Sequence, residues 1–259
     1  MSYDFANILF AGPCNRACPW CVGRALAAPL NQENLTHYPP RNLDALIEAV
    51  NAQRIRDVIL TGTNSDPQLY RHERRLLALL RCRLHEGARL GLHTNGARVL
   101  RRLETFNRYD RACISFPSFD PQRYRRLMGS PQVPDLAAIL AAATIPVKVS
   151  AVVNEHNEDD LGPFLARCRA IGVRRVVLRR LLGDQRPFAP IAGLRPVGHF
   201  KGNPVCDYEG LQVTLWRFDR TRALRSLNLF ADGTLSASYL LHEGAARRAV
   251  DARGAGALL

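Results

Sequence analysis

Cys14, Cys18 and Cys21 fall within eight residues, spaced C-x3-C-x2-C, with Trp20 just before the last of them. Three thiolates on one short loop can hold three corners of a [4Fe–4S] cube and leave the fourth iron open to a small molecule. Two other readings apply to the same residues. A Cys3His zinc site usually uses C-x2-C pairs with a distant fourth ligand, whereas the first gap here is three and no histidine lies nearby in sequence. Unligated core cysteines rarely crowd onto a loop that follows a Gly-Pro pair such as Gly12-Pro13.

The four remaining cysteines carry less information. Cys82, Cys113 and Cys168 sit in helix or strand patterns and read as packed thiols. Cys206 follows a proline-rich stretch and is a candidate ligand or hydrogen-atom donor. Seven cysteines, an odd number, do not suit a secreted disulfide framework. The N-terminus lacks a basic and then apolar leader, and no apolar run reaches the roughly 18 residues of a membrane helix. A cytoplasmic protein with reduced thiols and no membrane contact is expected.

The elements that position these residues alternate. Apolar or β-branched runs at 5–12, 57–61, 90–94, 111–116, 147–153 and 173–178 read as strands. Between them, stripes at i, i+3, i+4, i+7 read as helices: Leu43, Leu46, Ile47 and Val50 form one such stripe, and 69–85 forms a long Arg-rich helix. Further helices are expected near 97–105, 122–128, 135–143 and 161–171. Six strands joined by helices imply a parallel sheet with right-handed crossovers. The fold class expected is α/β: a partial (β/α)6 TIM-like barrel with a C-terminal antiparallel β extension. The barrel spans 1–182. The remainder, 183–259, holds an irregular connection rich in proline and glycine, strands at 211–218, 224–230 and 234–241, and a tail, and is expected to cover the barrel mouth.

With the cysteine spacing and Trp20 in place, the sequence resembles the radical S-adenosylmethionine (radical SAM) superfamily over about residues 5–182. The resemblance implies two cofactors, a [4Fe–4S] cluster on Cys14, Cys18 and Cys21 and S-adenosylmethionine chelated to the open iron. It implies reductive cleavage to methionine and a 5′-deoxyadenosyl radical, with an electron donor such as flavodoxin or ferredoxin as partner. The backbone near Trp20 would meet the adenine. After the second strand, Thr61, Gly62 and Thr63, with Asn64 and Asp66, occupy the place of the family's Gly-Gly-Glu-Pro-like segment, although the Gly-Glu core is absent. Asp66-Pro67 also reads as a helix start. Thr94 in Thr-Asn-Gly, Ser115 after the fourth strand and Ser150 in the fifth would hold the rest of the cofactor, with Ser118 nearer substrate.

Lys148, Ser150 and Val152 share one face of the fifth strand by alternation. A lysine in so apolar a strand faces a polar cavity or an acid. Within the family, the branch containing the molybdenum-cofactor GTP cyclase has such positions facing substrate and the cofactor ribose, and Arg179 resembles that branch's carboxylate- or substrate-binding arginine. That enzyme's C-terminal cysteine group has no counterpart here, which argues against an auxiliary cluster and against its activity. Lys148, Arg179 and Cys206 are thus the candidate catalytic residues, and His199 and Lys201 further contacts. Arg180 reads as solvated.

Net charge is +13, from 36 basic and 23 acidic residues. The Arg-rich helix carries no aromatic–basic interleaving, so a small, anionic substrate is ranked above a nucleic acid. The alternatives are a glycyl-radical-type activating enzyme, an RNA-modifying radical SAM enzyme and, outside the class, a non-catalytic zinc- or RNA-binding protein.

Overall fold

The computed structural model describes residues 3–181, 183–189, 191–218 and 225–237. In chain order the elements are β1 (Phe5–Phe10), α1 (Leu43–Ala52), β2 (Asp57–Gly62), α2 (Glu73–Arg83), β3 (Arg89–Thr94), α3 (Leu103–Phe106), β4 (Arg111–Ser115), α4 (Pro121–Met128), α5 (Leu136–Ala142), β5 (Val147–Val153), α6 (Leu161–Ala170), β6 (Arg175–Arg180), β7 (Arg195–Phe200), β8 (Asn203–Tyr208), β9 (Leu211–Trp216), β10 (Ser226–Leu229) and β11 (Leu235–Ser236). All six expected barrel strands are present. Two compact units divide them: among the described residues, 3–15, 21–92 and 225–237 form the first, and 16–20 and 93–218 the second.

In the first unit, β1 lies between β2 and β10 and runs parallel to both, and β2 pairs with β3 in parallel. Ala6, Ile8, Phe10, Val58, Leu60 and Leu92 alternate onto one strand face and are fully buried, as are the stripes Leu46, Ile47, Val50 of α1 and Leu76, Leu77, Leu80 of α2. Each of the larger side chains contributes about 1.5–3 kcal/mol by leaving water. The Asn7 amide donates to Asn228 Oδ1 at 2.7 Å, a buried pairing that fixes the register of β10 on β1.

The chain just before the cysteines is held by one side chain. Buried Asn34 accepts from the Ala11 amide and donates to the Leu9 carbonyl, both at 3.0 Å, which extends the ladder beyond the end of β1. Asn34→Ala leaves both backbone groups buried and unpaired, so it should cost about 1–3 kcal/mol per lost partner, read as a fall in thermal midpoint.

In the second unit, β4, β5, β6 and β9 run parallel in that order, and β8 and then β7 follow antiparallel. Val149, Ala151 and Val153 are fully buried, while Lys148 and Val152 on the other parity keep some exposure. The alternation expected of the fifth strand is therefore present.

Several expectations change. The segment expected to be irregular contains β7 and leads into β8, joined at Lys201-Gly202; both residues take positive φ, as in two-residue hairpin turns. Glu209-Gly210 does the same between β8 and β9. Besides antiparallel β7, β8 and β11, the C-terminal part adds parallel strands β9 and β10. The helix expected at 69–85 starts only at Glu73, because the Asp66 carboxylate caps a separate short turn at Pro67–Leu69 by accepting from the Gln68 amide. In place of the helix expected near 97–105 there is a short turn at Leu100–Arg102 and then α3. Residue 182, the outer part of the expected strand at 234–241 and the tail lie outside the described residues.

Candidate functional site

The cysteine loop is braced from each unit separately. In the first unit, the segment after β2 reaches the loop at several points: the Gly12 amide donates to Asn64 Oδ1 at 3.0 Å, and the Ser65 hydroxyl donates to the Pro13 carbonyl at 2.9 Å. The Cys21 thiol lies 3.5 Å from the Thr63 carbonyl. Thr63 is anchored in turn through its amide, 2.9 Å from the Phe10 carbonyl. Gly23 completes the contact. A Cβ there would stand 2.3 Å from the Thr63 carbonyl oxygen, so only glycine permits this approach.

In the second unit, the end of α4 holds the middle of the loop. The Ala17 amide donates to the Met128 carbonyl at 3.1 Å, and the Cys18 sulfur lies 3.7 Å from the same oxygen. Gly129 caps α4 at φ +68°, where a Cβ would stand 2.5 Å from the Ala17 backbone. Arg16 donates to the Gln132 carbonyl at 2.9 Å. The Trp20 ring meets His156 with centroids 5.5 Å apart.

Cys14, Cys18 and Cys21 form no disulfide among the described residues and are partly exposed. Among the described residues, no three His, Cys, Asp or Glu side chains gather around a single metal-ion position. A [4Fe–4S] cube takes its thiolates on separate irons, and a loop offering three cysteines outside any disulfide suits that donor set.

The other expected cofactor residues differ in their freedom. Thr61 and Gly62 close β2 and are partly exposed. Thr63 is buried with its hydroxyl 3.3 Å from the Phe10 carbonyl, and Asp66 is buried as a cap. Thr94 is buried and its hydroxyl accepts from the Gly96 amide. Ser115 is exposed at the end of β4, and Ser150, beside it in register, is nearly buried. Ser118, expected nearer substrate, is fully buried, and its hydroxyl accepts from the Asp120 amide.

Register decides which candidate residues share a surface. Cys113 stands beside Lys148, Ser115 beside Ser150, Val152 beside Arg179, and Arg179 beside Trp216. Neighbours in register point to the same side of a sheet, so Lys148 and Arg179 lie on one face, as expected. The same parity adds Arg111 and Arg175, which the sequence reading missed although i, i+2 spacing along β4 and β6 marks both. Cys206 does not join them. It pairs with Val213, which belongs to the opposite, apolar face, and it is buried there. Cys113 is packed as expected, buried at 5% exposure, and is the cysteine on the Lys148 face.

The charges on this face act on one another. The Cys113 thiol beside Lys148 favours its charged form, but burial and the guanidinium groups of Arg179, Arg175 and Arg111 outweigh this and lower its pKa from the ordinary lysine value. Burial, then Lys148, Arg179 and Arg111, hold partly buried His93 well below the ordinary histidine value, so it is neutral at neutral pH.

Two further expectations are corrected. Arg180 is not solvated: it is 1% exposed, paired with Glu158 and packed over the Phe188 ring at 5.0 Å. Alternation turns it to the covered side, where a charge requires partners. Cys82 is exposed, because it stands two residues beyond the buried Leu80 of α2 and so on the far side of that helix. His199 and Lys201 are exposed on and beside β7. Cys168 is packed as expected, and burial pushes its thiol up to about 12. Arg71, Arg74, Arg75, Arg81 and Arg83 are all exposed, in keeping with a solvated outer face.

A separate cavity of about 380 Å³ is lined by Asp120, Gln122, Arg123, Arg126, Glu155, His156 and Asp159. None of the expected site residues lines it.

Comparison with known proteins gives a family and a fold. A sequence model of the radical SAM superfamily matches residues 8–168. No curated protein matches the chain. Among solved structures, Streptococcus suis SuiB bound to precursor peptide SuiA is similar with a TM-score of 0.55 at 14% identity, over 70% of this chain and 40% of that one. SuiB bound to S-adenosylmethionine gives 0.54 at 16% identity, over 74% and 42%. A histidine-tagged anSMEcpe with bound AdoMet gives 0.52 at 11% identity, over 71% and 54%. The chain thus spans about two fifths of the length of SuiB. The likeness is one of fold: a mixed α/β partial barrel with parallel strands, helices and added antiparallel strands. No helix among the described residues is long and apolar enough to cross a membrane.

Proposed function

Because the chain belongs to the radical SAM superfamily, we propose that it cleaves S-adenosylmethionine reductively and directs the resulting radical at a small, anionic substrate. The superfamily's members are enzymes, and its [4Fe–4S] cluster and S-adenosylmethionine are the cofactors of this chain. The observation that carries the reading is the set of backbone contacts along the cysteine loop: within the first unit Cys21 lies against the Thr63 carbonyl, and within the second Cys18 lies against the Met128 carbonyl. When bound, the cofactors together supply an electron and a sulfonium C–S bond, giving methionine and a 5′-deoxyadenosyl radical.

The chain's own residues hold and orient. Cys14, Cys18 and Cys21 are the cluster ligands. The backbone near Trp20 takes the adenine, and Thr61, Gly62 and the backbone of Thr63 lie where the methionine ammonium needs acceptors. Thr63 and Thr94 act through the backbone segments that their hydroxyls fasten, whereas Ser115 and Ser150 present hydroxyls on the Lys148 face. Lys148 and Arg179 orient substrate from that face. The electron comes from a flavodoxin- or ferredoxin-type donor in the cytoplasm.

Anaerobic reconstitution with iron and sulfide tests this. A brown protein with about four irons per chain that forms 5′-deoxyadenosine from S-adenosylmethionine and dithionite is expected. A colourless zinc protein without that product would end the proposal.

A further inference from the structure

We infer that the face of the second unit's sheet carrying Lys148, Arg179 and Trp216 is a subsite for a phosphate-type dianion, the anchoring group of the substrate. The inference rests on the proposed radical SAM activity and specifies the substrate class of the same site.

Register assembles the face. On β4 it presents Arg111, Cys113 and Ser115, on β5 Lys148, Ser150 and Val152, and on β6 Arg175, Val177 and Arg179. Those three strands place four cations there and no carboxylate. The first unit shows what a compensated face looks like: Arg89 is forked onto Asp57, with contacts of 3.0 and 3.2 Å, on the neighbouring strand. Among the described residues, Lys148 has no such acid. Its surroundings are burial, a thiol and three guanidinium groups.

Two buried donors point to a missing acceptor. Arg179 Nε and Trp216 Nε1 stand on residues adjacent in register, and both are buried without a hydrogen-bond partner among the described residues. Trp216 is only 8% exposed. A buried N–H left unmet costs about 1–3 kcal/mol, and one oxyanion could satisfy both. The guanidinium fork matches phosphate oxygens, and an indole N–H can only donate, so the pair selects an acceptor-rich ligand. Lys148 brings a point charge from the adjacent strand.

Charge decides between anions. A monoanion offsets only part of the positive field of Lys148, Arg179 and Arg175, whereas a dianion cancels twice as much. His93 faces Lys148, Arg179 and Arg111 as a neutral ring, so it offers hydrogen bonding without a further charge.

Calorimetry on the full-length, cluster-loaded protein tests the site, with inorganic phosphate and acetate as probes. Phosphate should bind at least about tenfold more tightly than acetate. Lys148→Met and Arg179→Met should each weaken phosphate about tenfold or more, the range of a charge-assisted hydrogen bond. Trp216→Phe, which keeps an aromatic ring and deletes the N–H, should weaken it about fivefold. Arg101→Gln, on the exposed outer surface, should leave it unchanged. Equal affinity for acetate, no effect of Trp216→Phe, or competitive displacement of phosphate by S-adenosylmethionine would overturn the inference. A protein that cleaves S-adenosylmethionine but binds no phosphate refutes only this subsite. One that cannot cleave it refutes the proposed function.

Discussion

Cys18→Ala should abolish formation of 5′-deoxyadenosine from S-adenosylmethionine and reduce the iron recovered after reconstitution from about four atoms per chain to below one. A cube that relies on three protein thiolates loses a third of its protein ligation with any one of them, and Cys14→Ala and Cys21→Ala should behave alike. Elemental analysis, the visible spectrum and chromatography of the nucleoside product give the readouts. The other cysteines separate ligation from general thiol chemistry. Cys82 is exposed on the outer side of α2, so Cys82→Ser should retain iron, colour and product. Cys168→Ala removes a fully buried sulfur and should lower stability while iron still loads. Full iron in Cys18→Ala, or loss of iron in Cys82→Ser, would contradict the assignment of the cluster to this loop.

The second large effect is expected far from the cysteines in sequence. Gly129→Ala should unseat the cluster loop, because the added Cβ would meet the Ala17 backbone at 2.5 Å while the residue is held at φ +68°. Left-handed backbone alone costs an alanine about 1–2 kcal/mol. The contact adds to this, since its partner is backbone with both neighbours committed: the Ala17 amide donates to the Met128 carbonyl, and the Cys18 sulfur approaches the same oxygen. A loss of about 2–4 kcal/mol and a fall in melting temperature of roughly 5–15 °C are expected, with poor iron retention. Gly172→Ala is the control. It stands at φ +88° with no atom within 4 Å of an added Cβ, so it bears the conformational cost alone and should keep its iron. If Gly129→Ala and Gly172→Ala lose the same stability and both keep iron, α4 does not position the loop.

The cysteine loop and the barrel strands were legible because their signals are local. Three thiols at fixed spacing need no partner to be recognised, and the runs at 57–61 and 147–153 are read from a period of two within a few residues. The same period placed Lys148, Ser150 and Val152 together. In β4 and β6 the same period marks Arg111 and Arg175. The turns Lys201-Gly202 and Glu209-Gly210 were also present as signals, but a dense run of prolines and glycines concealed β7 and the start of β8. The faces that Cys206 and Cys113 join were hidden for a different reason. Which face a cysteine joins depends on the strand beside it, and the pairings Cys206 with Val213 and Cys113 with Lys148 cannot be read from either segment alone.

By itself, then, the sequence determined the family, the cofactor chemistry and the α/β class, all written in short-range spacing and periodicity. Tertiary structure decided what holds the chain around the cysteines, with Asn34 at the end of β1 and Gly23 under Thr63 in the first unit and Gly129 under Ala17 in the second, and it set Trp216 beside Arg179 on the second unit's sheet. Each of these is a contact between residues distant along the chain. Side-chain period repeats over two or four residues, but register and close backbone approach are fixed only when separate segments pair and pack.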